Sequence, residues 1–249
     1  MRKGDERKAA LLKASEELFF TKGYAATSIN DILDTQGISK GSFYHHFESK
    51  LEVLQALCAA HAQASFERYR EQVSEDTQPL DALNCLLYNA LPISPEEEHL
   101  CALLLQLHRS PEGEQVISAT LEARKKLFFG PFSAVLNELK ASGDAFLPLS
   151  SLPVLAWDAH MALFRHLMDL GLDYAGKSDP LPPAYNDETD ALRAARYLLE
   201  RTLDLPFGSI VIIRAEVLNR TLRAAADTAR VAMTSLRPVD ARQISMFQD

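Results

Sequence analysis

Between Ile29 and Lys50 a short polar helical stretch, a glycine and a second short helical stretch follow one another as INDILDTQ, G and ISKGSFYHHF. Signals so closely spaced leave few folds open. Ile32 and Leu33 supply the buried side of the first helix, and Gly37 stands where a turn between two crossed helices needs a residue that tolerates positive φ. Ser39 caps the second helix, with Ile38 and Phe43 anchoring it to a core. What remains outward is Lys40, Gly41, Ser42, Tyr44, His45 and His46, a donor-rich face with no acidic residue before Glu48. Such a face suits an anion. Rings that merely cover the edge of the core are the alternative, but a helix devoted to folding would more often expose Glu, Lys and Gln.

The segment resembles the DNA-binding region of the TetR-like family of one-component transcriptional regulators. The likeness runs through Leu11, Ala14, Leu18, Phe19, Gly23, Tyr24, Thr27, Ser28, Ile29 and Ile32, then Gly37, Ile38, Ser39, Lys40, Gly41, Ser42, Tyr44, His46, Phe47, Ser49, Lys50 and Leu54. Leu33 and Gln36 depart from it, standing where the family usually has alanine. Beyond about Gln63 only a general helical layout remains similar.

This resemblance implies an all-α fold: a three-helix helix-turn-helix DNA-binding domain over residues 1–49, a helical-bundle ligand-binding and dimerisation domain over 50–205, and a C-terminal helical extension over 206–249. It also implies roles. Lys40, Gly41, Ser42 and His45 would meet base edges in the major groove, while Thr27, Ser39, Tyr44, His46 and Lys50 would bind phosphate or sugar. Lys50 opens a helix, where a cation is unfavourable unless an anion lies just outside, and a phosphate would answer that. The partners implied are double-stranded DNA with a palindromic operator, a small apolar or aromatic effector, and a second copy of the chain in a homodimer. No cofactor, metal or membrane partner is expected.

Composition is compatible with this. With 249 residues, 47% hydrophobic and 24% charged, the chain can bury one large core or two modest ones. The net charge of −8 would argue against nucleic acid were it evenly spread. It is not: residues 1–50 hold eight Lys/Arg and seven Asp/Glu, so the acidity belongs to the remainder. Phosphate contacts are therefore expected from a few placed donors. No run approaches a membrane span, and the charged N-terminus lacks the apolar centre of a secretory signal, so a cytoplasmic location is expected. Cys58, Cys85 and Cys101 form no close pair and read as buried thiols.

Apolar periodicity places helices at Asp5–Thr21, from Ser28 after a Thr27 cap, at Ser39–His46, and from Lys50 to about Val73. Further helices follow at Leu80–Leu91, Glu96–Arg109 and Glu114–Ala141, the last with a kink near Phe129 because Gly130-Pro131 interrupt it. Leu152–Leu170 should be a buried or interface helix stopped by Gly171. Tyr174–Glu188 reads as a loop rich in proline, with Thr189 or Asp190 capping a helix to Leu203. A last helical pattern starts at Ser209 and is broken by Pro238.

In the second domain Tyr88, Leu104, His108, Phe128, Phe132, Trp157, Met161 and Phe164 are the candidates for the effector pocket, although for each of them core packing is the default. His99, Cys101 and His108 do not share one helical face, which argues against a metal site, and His160 with Asp158 or His166 with Asp169 suggest only local pairing. The helices at Leu152–Leu170 and Ala191–Leu203 are the candidate dimer interface. An all-α enzyme is the rival class and lacks any nucleophile, phosphate-loop or HExxH motif. A constitutive DNA binder would leave three-quarters of the chain without a purpose.

Overall fold

The computed structural model describes residues 3–108, 110–175 and 190–235, and among these the chain forms ten α-helices, one 3-10 turn and no strand. The helices are α1 (Lys3–Thr21), α2 (Ile29–Gln36), α3 (Lys40–Tyr44), α4 (Lys50–Gln72), α5 (Pro79–Ala90), α6 (Glu98–Leu107), α7 (Gly113–Ser142), α8 (Leu152–Ala175), α9 (Asp190–Leu203) and α10 (Ala215–Ser235). The 3-10 turn Pro95–Glu97 leads into α6. The all-α expectation holds. The proline-rich loop, the Thr189 cap and the break at Pro238 lie outside the described residues.

α1, α2 and α3 close a small core of Leu11, Phe19, Tyr24, Ile32, Phe43 and Phe47, all buried. Phe19 meets Tyr24 edge-on at 5.1 Å. Each such ring removed from water contributes roughly 1.5–3 kcal/mol, which is how helices as short as α2 and α3 persist. α4 is the shared wall. It packs against α1 at one side and against α5 and α7 at the other, with Leu54, Leu57, Cys58 and Ala62 buried along it.

α7 presents Val116, Thr120, Arg124, Phe128, Phe132 and Leu136 at every fourth position, and all six are buried. That ladder is the spine of the second domain. The helix is continuous from Gly113 to Ser142 with Pro131 inside it.

At two boundaries in the second domain, contacts distant in sequence overturn the expectation. Gly171 does not end α8, which continues to Ala175. A Cβ at Gly171 would lie 2.7 Å from Leu105 Cδ2, so the glycine is where α8 and α6 approach closely. The helix expected from Ser209 begins at Ala215. The Asn84 side chain donates to the Ser209 carbonyl at 2.9 Å and accepts the Val211 N–H at 2.9 Å, while the Glu200 carboxylate accepts the N–H groups of Gly208 and Ile210 at 2.9 and 3.1 Å. These distant side chains hold residues 208–211 in a non-helical connection, and the helix begins only beyond it. Beyond them α10 packs on α6 and α8 of its own chain.

Candidate nucleic-acid interface and ligand-domain core

α2 starts at a capping box: the Ser28 hydroxyl accepts the Asp31 N–H at 3.1 Å and the Asp31 carboxylate accepts the Ser28 N–H at 2.6 Å. Asp31 also pairs with Lys22 at 2.8 Å. Lys22, then the hydroxyl and the N–H of Ser28, hold the Asp31 carboxyl far below the usual carboxylate range. Gly37 ends the helix in the left-handed region, φ +60°, with its N–H shared between the Asp34 and Leu33 carbonyls. Ser39 then caps α3 by accepting the Ser42 N–H at 3.3 Å.

α3 is shorter than Ser39–His46, spanning only Lys40–Tyr44, because His45 and His46 fall in the turn after it. Phe43 holds it down, buried between Phe47 at 6.0 Å and Tyr44 at 5.4 Å. Lys40, Gly41, Tyr44 and His45 are exposed, Tyr44 to 54%, and Ser42 and His46 are half-buried. The two imidazoles meet edge-on at 5.1 Å. Lys40, Gly41, Ser42, Ser39, Tyr44, His45 and His46 thus gather on and around one short helix.

Thr27 and Lys50 are placed differently. Thr27 does not cap α2, a role taken by Ser28, and it is 1% exposed, its hydroxyl donating to the Gly23 carbonyl at 2.8 Å. A hydroxyl so spent does not face a phosphate. Lys50 points back into the protein, its ammonium donating to the carbonyls of Tyr24 and Thr27 at 2.7 and 2.8 Å and lying 4.2 Å from the Tyr24 ring centre. Burial pulls it below the usual lysine range. The anion that the start of α4 calls for is supplied by backbone oxygens, which clamp the α1–α2 connection to α4.

Residues 11–57 match the family model described as bacterial regulatory proteins, tetR family. That segment is similar to the DNA-binding region of the tetR family. Over 134 residues the chain is 31% identical to the HTH-type transcriptional repressor KstR2 of Mycobacterium tuberculosis, a stretch that covers 54% of this chain and 66%, just under two thirds, of the relative. It is 35% identical over 81 residues to the probable HTH-type transcriptional regulator ArpR of Pseudomonas putida, covering 32% of this chain and 38% of that one. Among solved structures it is similar to the transcriptional regulator FadR of Bacillus subtilis in complex with stearoyl-CoA, with a TM-score of 0.53, 17% identity and coverage of 78% and 97%. A TetR-family regulator from Rhodococcus sp. gives a TM-score of 0.53 at 18% identity, covering 91% and 99%. At these identities the structural likeness concerns the fold.

In the second domain, Leu104, Phe128, Phe132, Trp157, Met161 and Phe164 are all buried and Tyr88 is half-buried. Trp157 meets Phe132 at 5.5 Å and Phe129 at 5.9 Å, both edge-on, while Phe128 packs instead with Phe66 and Tyr69 of α4. Trp157 and Met161, with Leu121, also floor a groove of about 270 Å³ between α7 and α8, rimmed by Lys125, Asp158 and Arg165. His108 stands apart at the end of α6, paired with Asp169 at 3.0 Å. The local histidine pairings are not formed: Asp158 pairs with Lys125, and His160 Nε2–H donates to the Leu87 carbonyl at 2.9 Å. Burial pulls His160 down from 6.5 to about 4, so it is neutral at pH 7. Burial pushes the thiols of Cys58, to about 11, and Cys101 upward, which leaves neither as a nucleophile.

Sequence reasoning missed a buried ionic group formed by Arg124, 0% exposed, and Glu97, 1% exposed. A signal existed: Arg124 occupies the apolar ladder of α7, four residues from both Thr120 and Phe128.

Proposed function

We propose that this protein is a ligand-responsive transcriptional repressor that binds a palindromic operator as a homodimer and releases it when a small apolar or aromatic effector enters the second domain. The observation that carries the reading is α3 itself, a helix of one turn whose inner side is fixed by Phe43 and whose outer side exposes Lys40, Gly41, Tyr44 and His45, with no acidic residue in the sequence from 38 to 47. Lys40, Ser42 and His45 would read base edges, Gly41 would let the backbone approach, and Ser39, Tyr44 and His46 would hold phosphate or sugar. The dimer is supported by Leu155 on α8, 58% exposed, together with Tyr197 and Leu198 on α9, half-exposed apolar side chains on helices that pack side by side. The groove beside Trp157 and Met161 is the entry proposed for the effector.

In a two-fold dimer the α3 helices must sit about 34–36 Å apart to enter successive turns of the major groove. An effector that favours another spacing lowers affinity by its differential binding to the two states, typically about 1–3 kcal/mol. The test is a fluorescence-anisotropy titration on the duplex upstream of the protein's own coding sequence and on a random duplex of equal length, over a range of salt. Tight, salt-dependent binding to the first alone supports the reading. Equal weak binding to both, repeated on every upstream region tried, would remove the repressor assignment and demote Lys40 and His45 to surface residues.

A further inference from the structure

A chain of polar side chains runs from the interior of the second domain to Glu16 on α1. Arg124 on α7 donates through Nη1 to the Asn89 carbonyl at 2.9 Å and through Nη2 to Glu97 Oε1. Glu97 lies in the 3-10 turn ahead of α6, and two side chains of α4 stand over it: Arg68, 3.8 Å from Oε2, and His61, whose Nδ1 is 4.0 Å from Oε1. The other nitrogen of His61 meets Glu16 Oε1 on α1 at 2.7 Å. This contact is the first cause of the Glu16 carboxyl lying below its usual range. Two residues beyond Glu97, His99 stacks on Phe20 of α1 with ring centres 3.8 Å apart. The same short turn therefore holds α1 by two routes, and it is itself held by a guanidinium on the central ladder of α7.

A buried carboxylate is costly without its partners, so the position of the turn depends on Arg124 staying where it is. We propose that Glu97 is the joint through which the interior of the ligand domain holds α1, so that a change at Arg124 is passed by way of His61 and Glu16, and of His99 and Phe20, to the helix on which α2 and α3 are built. The proposal rests on the reading of α3 as the DNA-facing helix only for its consequence on operator binding. The mechanical link stands on the contacts alone. A ligand need not touch α1 or α4 to act on it; displacing Arg124 from Glu97 is sufficient.

Amide hydrogen exchange on the full chain tests it without DNA or effector. Glu97→Gln keeps the shape and removes the charge, and Glu16→Gln cuts the far end of the chain where the side chain is part-exposed. Each is expected to raise exchange of the α1 amides near Glu16 and Phe20 by fivefold or more while α8 and α9 change less, and the double variant is expected to go no further than the larger single effect. Should Glu97→Gln fail to fold, the volume-preserving pair Arg124→Met with Glu97→Leu removes both charges at once and is read in the same way. Unchanged α1 exchange in these variants, or additive effects of Glu97→Gln and Glu16→Gln, would overturn the joint. A failure of α3 to bind DNA would appear in the anisotropy titration and leave this readout untouched.

Discussion

His160 should make the protein acid-sensitive over a pH range where carboxylates are still ionised. Its ring is fully buried on α8, with one hydrogen bond to the Leu87 carbonyl and a pKa pulled down to about 4 by burial. In the unfolded chain the imidazole takes up a proton near pH 6.5, whereas the folded chain resists it until about pH 4. The stabilisation from the neutral ring is therefore complete above pH 6.5 and is lost as pH falls from there toward 4. Integrated with those two values, the loss between pH 7 and pH 5 is about 2 kcal/mol. The check is urea unfolding of the wild type and of His160→Gln at half-unit pH steps and one protein concentration. The glutamine amide can still donate to Leu87, and any lost packing lowers the variant's stability by the same amount at every pH. The wild type should lose about 2 kcal/mol more than the variant over that range. Parallel curves would refute the reasoning and show that the ring finds a proton acceptor or water when folded.

Three further outcomes are expected. Gly171→Ala should destabilise by about 1–3 kcal/mol despite the gain in helix propensity, because the added methyl meets Leu105 at 2.7 Å, and shortening that side chain in the double variant with Leu105→Val should recover part of the loss in thermal unfolding. Lys40→Ala should leave the melting temperature unchanged and cost about 1–3 kcal/mol of operator discrimination, whereas Lys50→Met should lower the melting temperature because the Tyr24 and Thr27 carbonyls lose their donor; anisotropy and calorimetry on the same samples separate the two. Leu155→Glu combined with Leu198→Glu should shift the protein to a monomer in analytical ultracentrifugation, since it sets like charges on the apolar faces proposed to meet across the two-fold.

The helix-turn-helix was legible because its signals are local. Gly37 at positive φ, the Ser39 cap and the buried Ile32 and Phe43 all follow from residue type and spacing within a few positions. The cap of α2 and the partners of Lys50 were not legible, for the opposite reason. Whether Thr27 or Ser28 caps α2 depends on which hydroxyl the chain turns inward, and the partners of Lys50 are carbonyls more than twenty residues away. Gly171 read as a helix stop because sequence shows a missing side chain but not the Leu105 that needs the space. The start of α10 was misplaced because Asn84 and Glu200, distant in sequence, take the backbone groups of residues 208–211. The polar joint at Glu97 was hidden among three successive glutamates that read as a solvated helix start; only the fold selects the middle one for burial.

The packing of α10 on α6 bears on how the chain is made. Residues 100–105 of α6 are buried on every side, and part of their cover is the face of α10 carrying Leu218, Leu222, Ala225 and Ala229. During synthesis α1 to α3 and most of α4 emerge early and can close around Phe43 and Phe47, while α6 waits with its leucines wet until α10 has left the ribosome. Premature termination anywhere between α9 and α10 would therefore release a chain with a finished headpiece and an open, adhesive second domain, a product better suited to clearance by proteases than to competing for DNA.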